Sequence, residues 1–210
     1  MDYFYLKYIR ELLKKTQMVA AKPVQSLMFL NNVPNLCDDT SFPGPTKYMS
    51  IVGSLQYLSL TSPDITFLMN KLSQFMHHPT STHWSCVKRL LRYLVGTMVH
   101  GLFLHKKSPI NLHAYSNVEW ARNPYVRSST NAPIVFLGHN LVSWSSKKQK
   151  FIARSSTEAK YHVVASTASK VLWVNSLLSK LSVSNLSPPP ISCDNVGATY
   201  LCANPMFHSP

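Results

Sequence analysis

Leu112-His113-Ala114-Tyr115-Ser116-Asn117-Val118-Glu119-Trp120 is the stretch on which the fold turns, and it reads as a β-strand. Ile134–Gly138 and Leu141–Trp144 read as two further strands, with Gly138-His139-Asn140 as the hairpin turn between them. Gly101–His105 is another β-type run. A long helix is predicted at about 156–181, with Tyr161, Val164, Ala165, Ala168, Val171, Leu172 and Leu178 on its buried side. Ser187-Pro188-Pro189-Pro190 separates it from a short strand, Ile191–Asp194, and a last helix around 196–203. The order β-β-β-α-β-α, with three strands of antiparallel meander first, fits a mixed-sheet α/β domain.

Upstream of that stretch the pattern is helical. Residues 5–17 form an amphipathic helix with Tyr5, Ile9, Leu12 and Leu13 on one face, while Lys7, Glu11 and Lys15 are spaced four apart on another. From 21 to 45 the period disappears, and Pro23, Pro34, Pro43, Gly44 and Pro45 mark a linker-like stretch. Three helices follow. The first, at 46–60, carries Tyr48, Ile51, Val52, Leu55 and Leu58. The second opens on Ser62-Pro63-Asp64, a cap candidate followed by Pro and an acid in the first turn, and runs to about Met76. The third begins near Ser81 and is predicted to end at Gly96 as its C′ glycine. Trp84, Val87, Leu90, Leu91 and Leu94 form its apolar stripe, and Lys88, Arg89 and Arg92 cluster near its middle. Those three cations could contact a phosphate backbone or simply form a solvated face.

Composition narrows the partner class. Among 210 residues, 21 Lys and Arg face 8 Asp and Glu, for a formal net charge of +13. Residues 1–110 hold 12 basic and 5 acidic side chains and residues 111–210 hold 9 and 3, so no single tail carries the excess. Polyanion binding by counterion release is the natural reading. An anionic membrane is disfavoured, because no run approaches about 18 uninterrupted apolar residues. Met1-Asp2-Tyr3-Phe4 has no basic region leading into an apolar one, so no secretory signal is expected, and four cysteines without a CxxC pair suit a reducing, intracellular setting.

Only three acids occur after residue 110: Glu119, Glu158 and Asp194. They fall at a strand end, in the first turn of the long helix and at the close of a short strand. Acids so placed can converge on one sheet edge and hold hard cations through oxygen. Two cations about 3.5–4 Å apart can activate water and stabilise the leaving oxygen of a phosphodiester. Each acid also has a structural explanation. Glu158 follows Ser155 at capping-box spacing, Asp194 could cap the last helix, and Glu119 could be a solvated charge. His77, His78 and His83 read as loop or structural histidines rather than a metal cluster.

Strings along nearly the whole chain, in order, resemble the Pol polyproteins of copia-type retrotransposons. They are Tyr48-Met49-Ser50-Ile51-Val52-Gly53-Ser54-Leu55-Gln56-Tyr57-Leu58, Ser62-Pro63-Asp64-Ile65, Gln74-Phe75-Met76-His77-His78-Pro79-Thr80 with His83-Trp84, and Lys88-Arg89-Leu90-Leu91-Arg92-Tyr93-Leu94-Val95-Gly96-Thr97. Val142-Ser143-Trp144-Ser145-Ser146-Lys147-Lys148-Gln149, Ser155-Ser156-Thr157-Glu158-Ala159-Lys160-Tyr161, Cys193-Asp194-Asn195 and Gly197-Ala198 resemble the RNase H region of those proteins. The resemblance implies an α/β chain: a helical reverse-transcriptase connection remnant over 1–98, then an incomplete RNase H-like mixed β-sheet with helices over 99–210.

In that family the RNase H domain cuts the RNA strand of an RNA–DNA hybrid with two Mg²⁺ ions on clustered acids. Glu158 and Asp194 match two of those acids. The leading aspartate does not carry over. Where the family reads Ser-Asp-Ala-Asp-Trp-Ala-Gly, this chain has Ser116-Asn117-Val118-Glu119-Trp120-Ala121-Arg122. Asn117 offers one neutral carbonyl oxygen in place of a charged carboxylate. Glu119 lies about 6.5–7 Å further along a straight strand and is at most a peripheral helper. Ser129-Thr130-Asn131-Ala132-Pro133 departs from the family's Ser-Thr-Ser-Gly-aromatic run, and Lys160 stands at the second acid position of Glu-Ala-Glu-Tyr. No Tyr-x-Asp-Asp polymerase motif occurs, and the family's last, acid-bearing segment is expected to be missing beyond Asn204–Pro210.

The expected function is therefore a Pol fragment whose RNase H-like domain is inactive or strongly impaired, with Mg²⁺ as the ancestral cofactor. Lys88, Arg89, Arg92, Lys147 and Lys148 are the expected contacts to a hybrid or duplex, with no membrane and no small-molecule substrate. The alternative is a non-catalytic, basic nucleic-acid-binding module.

Overall fold

The computed structural model describes residues 3–27, 40–120, 127–183 and 187–204. Pro34 and Arg122, singled out above, and residues 205–210 lie outside them. The chain divides into two compact units, Met1–Leu102 and Phe103–Pro210, against the 98/99 boundary expected from sequence.

The first unit is helical: α1 (Tyr3–Lys15), α2 (Pro45–Leu58), a 3-10 turn at Pro63–Ile65 leading into α3 (Thr66–Ser73), and α4 (Ser81–Thr97). Its core is one continuous cluster. Ile9, Leu12 and Leu13 from α1 join Tyr48, Ile51, Val52 and Leu55 from α2, Leu68 and Leu72 from α3, and Leu90, Leu91 and Leu94 from α4. Fully burying each such side chain stabilises by about 1.5–3 kcal/mol. Tyr48 is wholly enclosed, and its hydroxyl donates to Leu72 O at 2.8 Å, so the polar atom is not stranded.

Local chemistry explains the boundaries. Pro45 and Pro63 occupy first-turn positions, where no amide hydrogen is needed. Ser62 precedes the 3-10 turn in extended conformation but caps nothing with its side chain, and shares a 2.7 Å hydrogen bond with the Tyr5 hydroxyl instead. Gly96 does not end α4 as predicted. The helix continues through Thr97 to Met98, still right-handed at φ −53°. A Cβ at Gly96 would lie 3.1 Å from Pro23 Cβ, so the glycine admits a close approach of the 20–27 segment.

That segment, predicted as linker, lies along α4. Arg89 donates to Ser26 O and Oγ at 3.1 and 2.6 Å, and Arg92 donates to Lys22 O at 2.7 Å. At the other end of the predicted linker, Ser41 forms an isolated antiparallel bridge with Thr80.

The second unit contains β1 (Leu112–Ser116), β2 (Val118–Glu119), β3 (Thr130–Asn131), β4 (Ile134–Leu137), β5 (Asn140–Trp144), β6 (Lys147–Lys148), α5 (Ser156–Lys180), β7 (Ile191–Cys193) and α6 (Val196–Ala203). One sheet has the order β5-β4-β1-β7, and a second, small one has the order β2-β3-β6. β1, β4 and β5 are antiparallel neighbours, whereas β7 joins β1 in parallel after α5 has carried the chain across. The first predicted strand of the meander is thus broken into β1 and β2, the other two appear as β4 and β5, and β3 and β6 are short additions that sequence reading did not include. Backbone bonds bridge the breaks: Ala132 N–H to Asn117 O at 2.8 Å and Ser145 N–H to Pro133 O at 3.2 Å. Pro133 stands just before β4, a position that a residue without an amide hydrogen tolerates.

The β4–β5 hairpin turns on Gly138-His139, with Gly138 at φ +58°. Residues 101–105 form no strand. Asn140 replaces the missing ladder there, accepting the His105 N–H at 2.7 Å and donating to its carbonyl at 3.2 Å. α5 covers one sheet face with a stripe shifted from the predicted one. Ala159, Val163, Thr167, Val171 and Leu178 are buried, while Ala165 and Leu172 are exposed. Thr167 is accommodated because its hydroxyl donates to Val163 O at 2.7 Å.

Candidate active site

Parallel pairing brings two of the expected site positions together. Ser116 on β1 pairs with Cys193 on β7, so Asn117 and Asp194 leave neighbouring strands at the same end. In open sheets, the carboxyl ends of parallel strands are where sites form. The start of α5 reaches this end as well, since Ala159 packs with Val118 in one buried cluster. Gly197 lets α6 come close to α5. A Cβ there would lie 3.2 Å from Thr157 Cγ2 and 3.3 Å from Asn195 Oδ1.

Each expected ligand is engaged within the protein. Glu158 Oε2 accepts the Arg154 N–H at 2.7 Å, and Ser155 Oγ accepts the Glu158 N–H at 3.1 Å. Ser155 thus caps α5, while the Glu158 carboxylate holds the amide of the residue before the cap, and its charge in the first turn favours the helix dipole. Asp194 is paired with the Lys160 ammonium. Their hydrogen bond, against the opposing effect of burial, holds the Asp194 carboxyl below its ordinary range. Asp194 does not cap α6. Asn195 does so, its Oδ1 accepting the Ala198 N–H at 2.7 Å. Asn117 is exposed, and its own Oδ1 accepts the Val118 N–H at 2.7 Å. Glu119 pairs with Thr130 in the small sheet, so the straight-strand spacing expected between it and Asn117 does not apply across the break. Among the described residues, no three His, Cys, Asp or Glu side chains assemble as a metal site.

Lys160 is the group that sequence reading left outside the site. Its side chain is 16% exposed against 65% for Asp194, so a mostly covered cation reaches out to an open carboxylate. The one available signal was a lysine two positions after Glu158 in the Ser-Ser-Thr-Glu string.

The basic candidates divide. Arg89 and Arg92 are half-buried and bonded to the 20–27 segment, whereas Lys88 is exposed. Lys147 is exposed on β6 and Lys148 half-buried beside it. Lys170 adds to their field. It donates to Ser145 Oγ at 2.9 Å, and burial first, then Lys147, lowers its pKa. His83 is no ligand. It is fully buried, its Nδ1 accepts the Thr80 N–H at 3.0 Å, and its ring stacks on Phe75 with centroids 3.9 Å apart. No described helix is long and apolar enough to cross a membrane.

No family model matches the chain, and no solved structure does. Curated proteins do. The chain is 53% identical over 203 residues to the retrovirus-related Pol polyprotein from transposon RE2 of Arabidopsis thaliana, and 54% identical over 203 residues to that from transposon RE1. Each match covers 97% of this chain and 14% of the polyprotein, so the chain spans about a seventh of the length of these relatives. It is also 40% identical over 167 residues to an uncharacterized mitochondrial protein of the same plant, covering 80% of this chain and 69% of that one. Identity at this level over nearly the whole chain places it: the protein belongs to the Pol polyproteins of copia-type retrotransposons.

Proposed function

We propose that the 103–210 unit is an RNase H-like domain, descended from one that cleaves RNA in RNA–DNA hybrids by two-metal hydrolysis, and that this copy has lost effective cleavage. The strand order β5-β4-β1-β7, with an antiparallel meander and a parallel fourth strand reached through α5, supports the domain assignment. The Lys160–Asp194 ion pair carries the loss of function. A divalent pair needs charged oxygens. Here Asp194 faces an ammonium, Glu158 Oε2 is taken up by the Arg154 N–H, and Asn117 brings no charge. Mg²⁺ does not fit this donor set, and no catalytic step is assigned to it.

The test is hydrolysis of a labelled RNA–DNA hybrid by the full chain with Mg²⁺. Wild type is expected to stay at background. Cleavage at rates typical of an intact RNase H, abolished by Glu158→Gln and Asp194→Asn, would sink the reading. The double substitution Asn117→Asp with Lys160→Glu restores charge at two positions. It should raise the melting temperature by a few degrees in about 10 mM Mg²⁺, where wild type shows no shift.

A second reading is favoured by the net charge of +13 and the exposed Lys88 and Lys147: a basic module binding hybrid or duplex without chemistry. Affinity should then fall steeply with salt, with a log–log slope near one per phosphate neutralised. Absence of binding at low salt removes it.

A further inference from the structure

The sheet face turned away from α5 carries rings. His113 on β1 and Phe136 on β4 are register partners, stacked with centroids 5.3 Å apart and planes 7° from parallel. Tyr115 stands nearly perpendicular to both, at 5.8 and 6.0 Å, and is 50% exposed. A cavity of about 450 Å³ opens beside them, lined also by Pro109, Asn111 and His139. At its mouth the run of rings continues. His139 lies edge-on to His105 at 6.1 Å, and His105 edge-on to Phe103 at 4.7 Å, with Phe103 76% exposed. The rim is tied down: Ser108 Oγ accepts the His139 N–H at 2.7 Å, and Asn140 holds His105.

The charge around this face has one sign. Lys106 and Lys107 are exposed on the rim segment, and none of the lining residues is acidic. Glu119 and Asp194 lie at the opposite end of β1, past Ser116, and Glu158 starts the helix packed there on Val118. Open rings on a sheet, flanked by lysines and free of carboxylates, suit planar bases joined by phosphates. An aliphatic segment would find no groove of methyl groups, and an acidic peptide would meet the lysines but bring nothing planar to stack on the rings. Base–aromatic stacking is tolerant of sequence and adds to the phosphate attraction.

We propose that this face is a base-stacking platform for single-stranded nucleic acid, with Tyr115, Phe136 and His113 as its floor and Lys106 and Lys107 as its phosphate contacts. It goes beyond the two readings above and uses none of their residues, so its success or failure is separable from theirs.

The experiment is fluorescence anisotropy of a labelled oligothymidylate of about 15 nucleotides with the full chain, at low and at moderate salt. Tyr115→Leu should weaken binding about tenfold at both salt concentrations, while Tyr115→Phe keeps wild-type affinity. Absence of saturable binding by wild type, or equal affinity of Tyr115→Leu, overturns the proposal. Should Tyr115→Leu fold poorly by circular dichroism, photo-cross-linking of a 4-thiouridine oligonucleotide to wild type decides. Adducts on Tyr115, His113 or Phe136 support the platform, and adducts confined to other surfaces overturn it.

Discussion

Asp194 shows how one long side chain can change what a carboxylate does. Lys160 lowers its pKa in the folded chain. The ion pair therefore adds stability above the unfolded carboxylate value of about 3.9 and loses it as pH falls through the lower folded value. Asp194→Asn should unfold slightly more easily than wild type at pH 6, by about 0.5 kcal/mol because Asp194 is mostly exposed, and the gap should close below about pH 4. Denaturant midpoints across that range check both sign and window. The Ser155 half of the expected capping box was legible in the sequence, because Ser155 and Glu158 meet within one turn, whereas the Glu158 carboxylate turns to the Arg154 amide instead of the Ser155 amide. The Lys160–Asp194 pair was not legible. It joins residues 34 apart, and only the parallel register of β7 on β1 makes them neighbours.

At the scale of elements, the helices and the β4–β5 hairpin were readable, whereas the break after Ser116 and the two-residue strands β3 and β6 were not. Apolar periods and first-turn prolines mark α1 to α6 closely, since those signals are local. The face of α5 was misjudged. Periodicity names a stripe but not which of two adjacent stripes the sheet will cover, and Thr167 looked too polar for a core it enters by bonding its own helix. The apolar run Gly101–His105 has strand composition but no neighbouring strand to pair with. The start of α4 offers a sharper test. Thr80 and His83 exchange hydrogen bonds, and the buried ring stacks on Phe75. His83→Ala removes half of the box and leaves a void, and should cost about 2–3 kcal/mol by denaturant titration, against about 1 for Thr80→Ala. Equal losses would mean that the ring contributes only its hydrogen bond.

For the whole molecule, the two units differ in how much core they possess. Among the described residues, 17 buried side chains form the single cluster of the helical unit, whereas the sheet unit has two clusters of 4 each. The sheet unit should open first. Hydrogen exchange is expected to show amides of β1 and β4 exchanging at least about tenfold faster than those of α2 and α4, the equivalent of one fully buried aliphatic side chain. Uniform protection across both units would contradict it. The Glu158 carboxylate, hydrogen-bonded to the chain just before α5, has a consequence for how lineages of such copies age. On the proposed loss of cleavage, drift is free to change the exposed Asn117, but replacing Glu158 releases the Arg154 amide beside the first turn of a 25-residue helix. On that same reading the Ser-x-x-Glu string should outlive the activity, and inventories of mobile-element nucleases that count it alone would overstate how many still cut.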